Sequence, residues 1–229
     1  GKAYDYSIVY GEDTKRVWSL RKAGLGLLTN VPRSLKPVSV VEDTAVAVEK
    51  LPDYLREFQD MLDGYGLSCV YHAHIATGEL HLRPVLNLKE KKDVELFRRL
   101  AYDTALLVKK YGGSLSGEHG DGRLRGEWIP LMYGERVYDL MKEMKHVWDS
   151  DNVFNPGKIV DSPAMNVNLR YEGARLGDFH TYYDFTKEQG VLCAAEQCNG
   201  AAECRKSSLI GGLMCPTFKV SGREEESTR

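Results

Sequence analysis

The chain has 229 residues, a formal net charge of −2, and 42% hydrophobic residues. That is enough for one sizeable core, or for one domain with a tail. The near-neutral balance gives no electrostatic case for nucleic acid. No apolar run approaches the length of a membrane span, and no secretory pattern opens the chain.

Tyr4 to Tyr10 alternates enough to be a strand. Glu12 to Ala23 has helical spacing through Val17, Leu20 and Ala23, and the glycines at 24 and 26 are expected to break it. Leu35 to Val41 reads as a strand rich in β-branched residues. Val46 to Leu62 is a helix, because Val48, Leu51, Leu55, Phe58 and Leu62 recur at three and four. Pro52 is tolerable near its start, and Gly64 and Gly66 end it. Leu67 to Ile75 and Glu79 to Leu86 are strands around Thr77-Gly78. Asp93 to Tyr111 is a long amphipathic helix with Leu96, Leu100, Leu107 and Val108 on its apolar side, closed by Gly112-Gly113. Glu135 to Trp148 is the last clear helix. This order predicts an α+β domain with a mostly antiparallel sheet backed by helices.

From Asp161 the pattern weakens into Pro, Asn, Gly and Tyr. Residues 1–160 are therefore expected to form one domain, 161–189 a connector, and 190–229 the start of another domain. The opening residues read as chain already under way, so an upstream part is expected. Among the five cysteines, Cys69 stands alone, while Cys193, Cys198, Cys204 and Cys215 crowd the tail. Without a secretory pattern, that clustering suggests metal or an iron–sulfur cluster rather than disulfides.

The stretch His72 to Arg83 carries the most chemistry. With Thr77-Gly78 as a two-residue hairpin turn, Ala76 faces Glu79, Ile75 faces Leu80, and His74 faces His81. Opposed residues on one face have Cβ atoms about 4.5–5.5 Å apart. Two imidazoles so placed can converge on one ion. His72 and Arg83 would be the next pair. The plain alternative is a polar, solvent-facing strand.

Five glycines fall within the eleven residues Gly112 to Gly122, around Glu118 and His119. A solvated linker is the simplest reading; a backbone that must approach a ligand closely is the other. Glu118 is a hard oxygen donor, and two imidazoles with one carboxylate form a catalytic metal set with open positions. In extended backbone His119 points away from Glu118 and stays off the metal, where an imidazole can serve as a general base.

Together these segments resemble the C-terminal half of the FAD-linked oxidases of the vanillyl-alcohol oxidase type. That group includes D-lactate dehydrogenases, the glycolate oxidase flavoprotein subunit and D-2-hydroxyglutarate dehydrogenases. The motifs that carry the resemblance are His74 to His81, Ser116-Gly117-Glu118-His119-Gly120-Asp121-Gly122, and Asn155-Pro156-Gly157-Lys158. Where the common hairpin has Asp-Gly-Asn, this chain has Thr77-Gly78-Glu79. The resemblance implies a ferredoxin-like substrate domain. It implies His74, His81 and Glu118 as ligands of a divalent metal, Zn²⁺ or Mn²⁺, and His119 as the base. It also implies Arg21 and Lys36 on the substrate carboxylate, and Asn155 in a flavin-proximal loop.

The resemblance is strongest to long fused proteins with a flavin domain first and an iron–sulfur domain last. Cys198-Asn199-Gly200, Cys204-Arg205 and Met214-Cys215-Pro216 match their tail. Cys198, Cys204 and Cys215 are thus implied ligands of a [4Fe–4S] cluster, with the fourth expected beyond Arg229 and Cys193 as the alternative. The implied activity is oxidation of a 2-hydroxy acid such as D-lactate, glycolate or D-2-hydroxyglutarate. Hydride would pass to an FAD held mainly by the upstream domain, and electrons on to the iron–sulfur domain. The implied location is cytoplasmic or peripheral to the inner membrane. The rival reading is a metal-binding module, or a zinc hydrolase, without redox chemistry.

Overall fold

The structure is a computed structural model and describes residues 7–29, 34–170, 172, 179–198, 202–206 and 214–227. The chain divides into two compact units. One comprises Gly1–Arg33 with Leu176–Arg229, and the other Ser34–Arg175.

The Ser34–Arg175 unit is an antiparallel sheet backed by helices. Its strands are β1 (Lys36–Pro37), β2 (Val41–Ala45), β3 (Cys69–His74) and β4 (Glu79–Leu86). Strand β4 is central: β3 runs antiparallel to it, and so do β1 and β2. Burial alternates along β4. Leu80, Leu82 and Leu86 enter the core, while His81 and Arg83 are only partly buried and share the opposite face with Glu79. That alternation separates chemistry from packing on one strand.

The core side is covered by α2 (Leu51–Tyr65) and α3 (Lys91–Lys110). Leu51, Tyr54, Phe58 and Leu62 form the buried stripe of α2, and Phe97, Leu100, Ala101, Ala105 and Val108 that of α3. Gly66 ends α2 in a left-handed cap whose N–H returns to the last turn. After α3 the chain returns to the sheet at a bridge, Ser114 against Ala45. The helices α4 (Ile129–Tyr133) and α5 (Glu135–Trp148) follow. Met165, in the segment expected to be a connector, is buried in this core.

The expected α+β class and antiparallel sheet hold, with local corrections. The expected strand from Leu35 breaks at Pro37, which has no N–H for the ladder, and resumes as β2 through Ala45. The helix expected from Val46 opens as a 3-10 turn, Val48–Lys50, before α2. Ser7–Tyr10 form no strand, and among the described residues no strand pairs with them; Tyr4–Tyr6 lie outside the described residues. In the other unit, α1 (Glu12–Thr29) runs through Gly24 and Gly26 rather than stopping at Ala23. Glycine costs a helix only about 1 kcal/mol. That unit also holds α6 (Val191–Ala195) and α7 (Pro216–Ser221). Among the described residues no helix is long and apolar enough to cross a membrane.

Candidate metal centre

The hairpin forms, but not in the expected register. Residues Ile75–Thr77 make a 3-10 turn and Gly78 takes φ +77°, so the loop is longer than two residues. His74 therefore opposes Glu79, and His72 opposes His81. The slip is two residues. A one-residue slip would have turned every side chain to the other face; a two-residue slip keeps the face and exchanges the partners. His74 and His81 meet diagonally, with ring centroids 5.1 Å apart at 86°. Arg83 opposes Val70 rather than His72 and is ion-paired to Glu42.

The third donor arrives from the glycine loop, and one buried carboxylate bends that loop into place. Asp43 sits on a bulge in β2 with φ +85° and 0% exposure. Its Oδ1 accepts the N–H of Glu118 (2.8 Å), and its Oδ2 accepts the N–H of His119 (2.9 Å) and the hydroxyl of Ser116 (2.7 Å). The N–H of Gly117 donates to the Asp43 carbonyl at 2.8 Å. The guanidinium of Arg125, itself buried, reaches the same carboxylate at 3.4 Å and the carbonyl of Glu42 at 2.9 Å. At Gly113 a Cβ would stand 2.3 Å from the Ala45 carbonyl, so that glycine permits the close approach of loop to strand.

This curvature corrects the expected divergence of Glu118 and His119. Adjacent residues point apart in extended backbone, but here both amides turn onto one carboxylate, and the side chains converge. The Oε1 of Glu118 lies 3.6 Å from Nε2 of His74, 3.6 Å from Nε2 of His81 and 3.2 Å from Nε2 of His119. The His81 and His119 rings stack at 5.2 Å. His119 Nδ1 faces Asp43 at 3.9 Å. His81 is 12% exposed, whereas His74, Glu118 and His119 are close to half exposed, so the cluster opens to solvent on one side.

Donor atoms of His74, His81 and Glu118 lie within 4.8 Å of one another. Bonds of about 2.0–2.1 Å in a tetrahedral arrangement separate two ligands by about 3.4 Å. The observed 3.6 Å spacings match that value and are too long for hydrogen bonds. The three residues therefore fit a divalent ion. Burial, with the neighbouring His119 and His74 charges, pushes the His81 pKa down and favours the neutral ring that a metal needs.

Burial tends to raise the carboxyl pKa of Asp43, but the donors from Glu118, Ser116 and His119 outweigh it and hold the value at about 2. Glu79 moves the other way, pushed up by burial, by its hydrogen bond to Asp43 and by the charge of Glu118. Its Oε1 is buried without a hydrogen-bond partner. Sequence reasoning missed Asp43 and Arg125. The available signal was an acidic pair, Glu42-Asp43, inside a run that otherwise reads as a buried strand.

The remaining expected residues are distributed as follows. Lys36 opposes Leu86, five residues along β4 from His81, which is about 17 Å of strand; the structure does not bring it to the histidines. Arg21 lies on α1, in the other unit. Asn155 is an exposed turn residue with φ +49°. Its turn is tied to the glycine loop by Ile159 N–H donating to Gly122 at 2.8 Å. Cys198 is exposed, Cys204 lies in a short 3-10 turn and Cys215 is buried ahead of α7. Among the described residues none of these cysteines joins a group of converging donors.

A family model described as FAD linked oxidases, C-terminal domain, matches residues 5–159. The chain is 36% identical over 226 residues to a D-2-hydroxyglutarate dehydrogenase of Pseudomonas putida, covering 95% of this chain and 22% of the relative. It is 34% identical over 217 residues to a D-2-hydroxyglutarate dehydrogenase of Escherichia coli, covering 90% of this chain and 20% of the relative. A D-lactate dehydrogenase of Archaeoglobus fulgidus is 30% identical over 125 residues, covering 55% of this chain and 27% of the relative. The chain thus spans about a fifth of the length of the first two relatives.

Proposed function

The chain belongs to the family of FAD linked oxidases, C-terminal domain, and from that premise we propose that it forms the substrate and metal side of a flavin-dependent 2-hydroxy-acid dehydrogenase. The observation that carries this reading is the convergence of His74, His81 and Glu118, with His119 beside them, on a face open to solvent. The names of the relatives favour D-2-hydroxyglutarate or D-lactate as the substrate class, and the sequence resemblance adds glycolate.

His74, His81 and Glu118 would hold a divalent ion, Zn²⁺ or Mn²⁺. When bound, that ion supplies Lewis acidity that lowers the pKa of a coordinated hydroxyl. FAD, when bound, supplies the hydride acceptor. The chain's own residues orient the acid and move its proton. His119 takes the hydroxyl proton, and its ring is held by stacking on His81 and by its backbone bond to Asp43. Asp43 and Arg125 keep Glu118 and His119 turned to the same point. Asn155, next to the glycine loop, belongs to the rim on which the flavin would sit. Arg21 and Lys36 are proposed as carboxylate contacts on the family motif alone.

In the longer protein, residues 1–160 would be the substrate domain, 161–189 a connector and 190–229 the beginning of an iron–sulfur domain. Cys198, Cys204 and Cys215 would then ligate a [4Fe–4S] cluster that receives the electrons. Its location would be cytoplasmic, or peripheral to the inner membrane. His119→Ala in the flavin-containing protein is the test. Loss of a general base should lower kcat about 10²–10⁴-fold with the flavin spectrum unchanged. Turnover within a few-fold of the parent enzyme would remove His119 from the role.

A further inference from the structure

Helix α5 is inverted relative to an ordinary surface helix: none of its residues is buried, and its apolar side faces out. Val137, Leu140, Met144, Val147 and Trp148 follow at spacings of three, four, three and one, which places them on one stripe. Their exposure runs from 41% at Val137 to 83% at Trp148. The other side of the helix is anchored. Tyr138, Met141 and Lys145 are half-buried, and the Tyr138 hydroxyl accepts the N–H of Asp161 at 3.0 Å. Lys145 pairs with Asp149, whose carboxylate accepts the N–H groups of Val153 (2.8 Å) and Phe154 (2.9 Å). Those two side chains are exposed as well and carry the apolar surface past the helix end. A patch of this kind marks a surface that another body covers.

The patch adjoins the metal centre. The segment after Phe154 is bonded back to the glycine loop, with Ile159 N–H donating to the Gly122 carbonyl at 2.8 Å, three residues beyond His119. Hydride transfer needs reacting atoms about 3–3.5 Å apart, so the body that holds the flavin must close over the open side of the cluster and onto the surface beside it. The family is by description a C-terminal domain of FAD linked oxidases, and the chain spans about a fifth of the first two relatives. A membrane fits the patch less well. Helix α5 sets Arg136, Lys142 and Lys145 against Glu135, Asp139 and Glu143, with no basic excess to draw it to anionic lipid. We propose that the outward stripe of α5, with Val153 and Phe154, is the docking surface for the flavin-binding part of the longer protein. The proposal rests on the flavin-dependent reading of this chain.

The test is hydroxyl-radical footprinting of the flavin-containing full-length protein, with oxidation of Met144 and Trp148 read by peptide mass spectrometry. Interface cores pack as tightly as protein interiors, so both side chains should oxidise at least about tenfold more slowly in the native monomer than in the unfolded protein. Leu140→Asp sets a charge into the interface and should release the partner. Trp148 should then oxidise near its unfolded rate, with flavin and metal per chain unchanged. Leu140 is exposed, so this substitution leaves the core intact. Native oxidation of Met144 and Trp148 near the unfolded rate, or protection that Leu140→Asp leaves in place, would overturn the proposal. Protection that vanishes when an oligomer is diluted to monomers would give the surface to a second copy of the protein and overturn the flavin-binding occupant. A full-length protein without flavin would overturn the flavin reading itself.

Discussion

Replacing Asp43 by Ala should be among the most damaging single changes in the Ser34–Arg175 unit. The carboxylate, fully buried, accepts the N–H groups of Glu118 and His119 and the hydroxyl of Ser116, and it faces the buried guanidinium of Arg125. Removing one partner of a buried ion pair costs about 3–5 kcal/mol, and each stranded buried donor about 1–3 kcal/mol. Water can reach the half-exposed loop and offset part of the amide cost. Alanine at φ +85° adds about 1 kcal/mol. The expected loss is about 4–6 kcal/mol, a large share of the stability of a typical domain. Urea unfolding of parent and variant measures it. Hydrogen exchange at the Glu118 and His119 amides should accelerate in parallel. Asp43→Asn, which tolerates the left-handed conformation and keeps one acceptor, should cost roughly half as much. A loss below about 1 kcal/mol for the alanine variant, with those amides still protected, would refute the role given to this carboxylate.

Acid should act through the same group. The Asp43 carboxyl is held at about 2 against an ordinary 3.8, so its ionised form stabilises the fold above about pH 4, and this is lost as pH falls toward 2. Glu79, whose pKa is raised, acts oppositely: its favourable contribution is present at low pH and fades as pH rises above 4.5. Stability measured against pH in Asp43→Asn should therefore lack the part of the acid limb below pH 4. Gly113→Ala places a Cβ 2.3 Å from the Ala45 carbonyl and should lower stability by about 1–3 kcal/mol, read by thermal melting. It should also weaken metal binding, because the loop that carries Glu118 would shift.

Much of this was legible in the sequence because it is periodic or local. The stripes of α2 and α3, the two strands of the hairpin and the single face shared by His74 and His81 all follow from spacing. The register did not, because the Ile75–Thr77 turn is longer than the two residues assumed; the site survived because the slip was even. Asp43 and Arg125 left little local trace. Their importance arises from contacts between residues more than seventy positions apart, and no window along the chain contains both ends. The convergence of Glu118 and His119 was hidden for the same reason, since a carboxylate on β2 bends their loop. α1 continued past Gly24 and Gly26 because two helix-weakening residues do not by themselves end a helix.

His74, His81 and Glu118 are proposed to hold one divalent ion. The decisive experiment is the metal content of the purified protein after incubation with Mn²⁺ or Zn²⁺ and exhaustive dialysis, for the parent and for His81→Ala. One ion per chain in the parent and essentially none in the variant is the expected result; no retained ion in the parent, or equal retention in both, would contradict it.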